Sequence, residues 1–202
     1  MSIQATDVPP PVALLQLVTG YRVSQAIYVA AKLGIADLVK DGPKNYDELA
    51  QATRTHPRSL YRLLRALASV GVFAEAEDGY FGLTPLGECL QTGVSGSVRA
   101  RTIIYGERAY CAWGELLHSV RTGETAYNYI FGMDLWQYLA QNPEVATLVT
   151  EAMAELTTQI STAVVATYDF SHFSKIVDIG GGNGALSLSI PSGASADEWR
   201  SL

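Results

Sequence analysis

Residues 57–84 read PRSLYRLLRALASVGVFAEAEDGYFGLT, and they predict a helix followed by a β-hairpin. Pro57 suits the first turn of a helix, where its missing N–H costs nothing, and Gly71 suits the stop. Between them Leu60, Leu63, Leu64 and Leu67 recur at helical spacing and form an apolar stripe, with Arg58, Arg62 and Arg65 on the opposite face. The two β-prone runs that follow flank Asp78-Gly79, a dipeptide that favours a tight hairpin turn. Upstream, Tyr46-Asp47-Glu48-Leu49-Ala50 opens a shorter helix. Helix, turn, helix and hairpin in this order are a winged helix.

On the N-terminal side, Val12 to Lys40 carries apolar residues at near-helical spacing, with Gly34 as a break and Gly42-Pro43 as a stop. That apolar face is broader than a small local core can cover. On the C-terminal side, Gly87 to Ser97 reads as a connector, and Val98 to Tyr168 reads as helical. One helix holds Trp113 to Leu117, and a longer one starts near Pro143 and runs through Met153 and Leu156. The segment between them, with Gly123, Tyr127, Phe131, Gly132, Met133 and Trp136, reads as a loop.

With 48% apolar and 17% charged residues, the composition excludes disorder of the whole chain. A net charge of −6 argues against a global nucleic-acid-binding field. Cys89 and Cys111 have no CxxC spacing and read as buried small hydrophobes in a reducing compartment. Met1 to Pro11 lacks the pattern of a signal peptide, and no apolar run reaches the length of a membrane span. The expectation is a cytoplasmic protein that does not enter a membrane.

The pattern changes at Lys175. Ile176-Val177-Asp178-Ile179 predicts a strand, Gly180-Gly181-Gly182-Asn183-Gly184 a glycine turn, and Ala185 to Ile190 a helix, the opening of a nucleotide-binding α/β sheet. Glycines at 180, 182 and 184 let the backbone turn sharply and approach a ligand. The third glycine comes one residue too early for the dinucleotide fingerprint. Asp178 suits a ligand that brings its own ammonium group, and S-adenosylmethionine is such a ligand. An ordinary tight turn is the bland alternative.

The chain resembles the S-adenosylmethionine-dependent small-molecule O-methyltransferases. These join a winged-helix dimerisation domain to a Rossmann-like methyltransferase domain. The likeness runs from about Gly20 to Ile190 through DELAQAT, RLLRALASVGVF, YFGLTPLGECL, VRTG, FGMDLWQYL, PEVATLVTEAM and VDIGGGNG. It implies a mainly α chain with a winged-helix (α+β) dimerisation domain over 12–97, a helical acceptor-pocket region over 98–170, and the start of an α/β cofactor domain over 171–202. It also implies that Asp178, Gly180 and Gly182 line the methionine end of the cofactor, with Met153 and Thr157 facing the cofactor or acceptor pocket. Trp113, Tyr127, Phe131, Met133 and Trp136 become candidates for the acceptor wall, with core packing the competing reading for Trp113 and Trp136. No metal site is expected. None of His56, His118 and His172 stands where the family places its catalytic base.

Eighteen residues follow Gly184, about one helix and a tail at typical element lengths. The resemblance therefore implies a C-terminally truncated methyltransferase of a phenolic or polyketide-like acceptor, inactive alone and homodimeric through its N-terminal helices. Two other readings stand beside it. One is a winged-helix DNA-binding regulator using Arg58, Arg62 and Arg65, disfavoured by the net charge. The other is a non-catalytic dimerisation partner of a full-length methyltransferase.

Overall fold

In the computed structural model, helices start and stop where prolines, glycines and short polar caps stand; the described residues are 8–77, 79–173, 175–181 and 184–190. The chain forms two units, Met1–Glu88 and Cys89–Leu202. In the first, α1 (Pro10–Thr19) begins on prolines, and Gly20 separates it from α2 (Tyr21–Lys32). Gly34, at φ 67°, turns the chain into α3 (Ile35–Leu38), as the break expected there requires. β1 (Lys44–Asn45) leads into α4 (Tyr46–Thr53), where the Asn45 side chain accepts from the Asp47 amide at 2.9 Å. α5 (Pro57–Ser69) has Pro57 in its first turn and His56 as its cap.

β2 (Phe73–Glu75) and β3 (Tyr80–Leu83) form the expected antiparallel hairpin, with Phe73 opposite Leu83. Asp78 lies outside the described residues. β1 pairs with the free side of β3 and completes the sheet order β1-β3-β2, a third strand too short for any alternation to reveal it. This is a winged helix. Its core is the buried face of α5, Leu60, Leu64 and Leu67, packed with Ile35, Leu49, Phe73 and Phe81. Each such leucine or phenylalanine contributes about 1.5–3 kcal/mol of burial. Arg58, Arg62 and Arg65 lie on the exposed side, and Arg65 pairs with Glu75 at 3.4 Å. The unit ends in α6 (Pro85–Glu88).

The second unit is helical. α7 (Arg99–Ile104) passes through a π-helical turn, Tyr105–Ala109, into α8 (Tyr110–Gly114) and α9 (Leu116–Thr122). Then come α10 (Ala126–Phe131), α11 (Leu135–Gln141), the 25-residue α12 (Pro143–Thr167) and α13 (Ala185–Ser189). α12 packs against α7, α11 and α13, burying Ala152 and Ser161. No described helix is long and apolar enough to cross a membrane.

Four expectations change. The loop read between Gly123 and Trp136 holds two helical segments, α10 and the start of α11. Thr125 and Asp134 cap them, and Gly132, at φ 67°, stops the first. Dense aromatics hid their short periodicity. Gly87, read as connector, is a buried helical residue packed under the Val72 carbonyl. Cys111 is exposed rather than buried, and Cys89 is half-buried. Ile176–Ile179, read as a strand, forms no ladder, because a strand needs a neighbour's N–H and C=O groups and no described segment pairs with it.

Candidate functional site

The glycine turn is built around Asp178. Its carboxylate accepts a hydrogen bond from the Ser187 hydroxyl on α13 and lies over the Cα of Gly181, where any Cβ would collide with it. Gly180 and Gly184 adopt left-handed φ values of 74° and 73°, which side chains rarely tolerate. Gly184 opens α13, and its amide donates to the Gly181 carbonyl at 2.9 Å. Gly182 lies outside the described residues. One acid over a side-chain-free turn, with carboxylate lone pairs left after the Ser187 bond, fits the ammonium end of an amino-acid-bearing cofactor.

Upstream of this turn, Asp169 accepts from the Ser171 amide at 2.9 Å. That bond, with a second from the Ser171 hydroxyl, holds its carboxyl below the usual aspartate range. Met153 and Thr157 stand one helical turn apart on α12, which packs against α13. Met153 is exposed and Thr157 half-buried.

Of the candidate wall residues, the structure brings Tyr127 and Phe131 together, ring centroids 4.6 Å apart on α10. Met133 follows α10, half-buried. Trp113 and Trp136 are 70% and 75% exposed, so neither is a core residue of this chain. Trp113 belongs to α8, which packs on α10.

Arg108 is the residue that sequence reasoning missed. It sits in the π-helical turn, with its guanidinium 4.8 Å from the Phe131 centroid and 3.5 Å from that of Tyr138, and it donates to the Tyr138 hydroxyl. A lone arginine among tyrosines carries no motif, and Tyr138 is thirty residues away. The Tyr127 hydroxyl is buried with no hydrogen-bond partner among the described residues.

The three histidines have local partners. His56 caps α5, His172 contacts Asp169 at 3.2 Å, and His118 stacks on Tyr129 at 4.0 Å beside Glu124. Among the described residues no group of three His, Cys, Asp or Glu could hold a metal ion.

Residues 15–93 match the O-methyltransferase dimerisation domain, and residues 113–193 match the O-methyltransferase domain. The chain belongs to the S-adenosylmethionine-dependent small-molecule O-methyltransferase family. It is 50% identical to the phenazine O-methyltransferase PhzM of Lysobacter antibioticus, over 91% of this chain and 54% of that one. It is 40% identical to the 3-amino-4-hydroxybenzoate 4-O-methyltransferase of Streptomyces cremeus, over 91% and 51%. The solved human N-acetylserotonin methyltransferase in complex with S-adenosylmethionine matches at a TM-score of 0.83 and 25% identity, over 94% of this chain and 57% of that one. The chain spans about half the length of the curated relatives it matches.

Proposed function

We propose that this chain is the dimerisation and acceptor-recognition part of an enzyme that moves a methyl group from S-adenosylmethionine to a hydroxylated aromatic acceptor. The observation that carries this reading is the packing of α12, with Met153 and Thr157, against α13, the helix opened by the glycine turn. Pocket helix and cofactor turn belong to one unit. The cofactor, when bound, supplies a methyl group activated on a sulfonium.

This chain's own residues bind and orient. Asp178, its carboxylate seated over Gly181, holds the ammonium, Gly180 leaves its side of the backbone open to the ligand, and Gly182 is assigned with them to the methionine end. Tyr127, Phe131, Met133, Trp113 and Trp136 form the flat apolar wall for an aromatic ring. The names of the relatives frame the acceptor between a phenazine and a hydroxybenzoate. None of the three histidines is assigned as base, since each is engaged locally. Turnover of an acceptor is therefore expected to require residues beyond the half that matches here, and the purified 202-residue chain is expected to release no S-adenosylhomocysteine from the cofactor and a phenolic acceptor. The division into a dimerisation domain over 12–97, an acceptor region over 98–170 and a cofactor segment from 171 follows from these roles.

Calorimetric titration with S-adenosylhomocysteine tests the assignment. Saturable binding, weakened about tenfold or more by Asp178→Ala, is the expected result, because a charge-assisted hydrogen bond contributes about 1.5–3 kcal/mol. Equal binding by the variant would remove Asp178 from the site.

A further inference from the structure

We propose that Arg108 selects acceptors that carry a carboxylate on the aromatic ring, a refinement that rests on the acceptor-wall reading above. The guanidinium lies against the rings of Phe131 and Tyr138 and donates one hydrogen bond, to the Tyr138 hydroxyl. Among the described residues no carboxylate pairs with it, and its other N–H groups have no protein partner. Two aromatic faces fix the plane of the fork and lower the entropy lost when it binds a planar oxyanion. A carboxylate is the complementary group, since it accepts two parallel N–H bonds from such a fork.

Two further observations point to a ligand rather than to packing alone. The Tyr127 ring touches Phe131 on the same wall, and its hydroxyl is buried without a partner among the described residues. Buried hydroxyls are normally satisfied, and an oxygen of a bound acceptor would satisfy this one. Arg108 also occupies a π-helical turn, an irregularity that recurs at functional sites because it re-aims one side chain out of helical register. On a chain of net charge −6, an anionic acceptor needs a local cation, and Arg108 supplies it beside the aromatic wall. Among the acceptors that the relatives' names print, this geometry favours those with a carboxylate on the ring, a hydroxybenzoate among them.

The test titrates the complete 202-residue chain with 3-amino-4-hydroxybenzoate and, separately, its uncharged carboxamide, following tryptophan fluorescence at low salt. Wild type should bind the acid about tenfold more tightly than the amide, and Arg108→Gln should bring the two affinities within about twofold of each other. Arg108→Lys should recover part of the preference, because it keeps the charge and loses the fork. An equal affinity of wild type for both probes, or a preference that survives Arg108→Gln, overturns the proposal and leaves the acceptor wall intact. If neither probe binds, or if Phe131→Ala changes neither affinity, the wall itself is misplaced and both readings fall.

Discussion

At Gly87 the cost of one methyl group can be stated. A Cβ there would stand 2.5 Å from the Val72 carbonyl oxygen, a backbone atom that moves only if β2 moves. Gly87→Ala is therefore expected to destabilise the winged helix by about 1–3 kcal/mol through overpacking. In thermal unfolding this is a fall of roughly 2–12 °C, and an unchanged midpoint would show that the corner relaxes freely. Gly181 faces a different neighbour, the Asp178 carboxylate, which can rotate away. Its replacement should disturb cofactor binding more than folding. The turn at Gly180 and Gly184 was legible in the sequence, since glycine spacing and residue type carry that signal. Gly87 was not, because only the fold brings Val72 to within a bond's reach of it.

Among the elements, α7 depends on α12 for its start. The Glu155 carboxylate accepts from the backbone amides of Ala100 at 3.1 Å and Arg101 at 3.2 Å, and from the Ser97 hydroxyl at 3.3 Å. It caps a short helix from 55 residues away and sets an anion at its positive end. Glu155→Ala is expected to cost about 1–2 kcal/mol, read as a lower urea midpoint at constant slope, with Glu155→Gln falling between. Equal stability of all three proteins would mean that water replaces the cap. No local pattern could disclose this bond, whereas the Asn45, His56, Thr125 and Asp134 caps lie beside their own helices. Helix α5 is the opposite case, with punctuation and apolar stripe both written within thirteen residues.

For the whole molecule, α1 is the outlying fact. It buries no residue, and Leu14, Leu15, Leu17 and Val18 are 60–64% exposed around it. A helix apolar on all sides belongs inside an assembly. Together with the match of residues 15–93 to a dimerisation domain, this leads us to propose a homodimer closed through α1. Leu17→Glu places a charge twice in a two-fold interface and removes about 1.5–3 kcal/mol of burial from each copy. Light scattering should then show the dimer dissociating at concentrations about tenfold or more above those of wild type. A dimer indifferent to Leu14→Glu and Leu17→Glu would place the interface elsewhere.

The sequence by itself determined what depends on near neighbours: the α5 stripe, the hairpin, the starts of α4 and α5, the glycine turn after Asp178 and the excess of apolar surface near the N-terminus. Periodicity and turn chemistry act over a few residues, so they can be read along the chain. Tertiary structure alone decided that Trp113 and Trp136 are exposed, that Gly87 is buried, that Glu155 caps α7, and that Arg108 lies against Phe131 and Tyr138. Each of these is a contact or an exposure set by packing between segments distant in sequence, and its energy exists only once the chain has closed the loop between them.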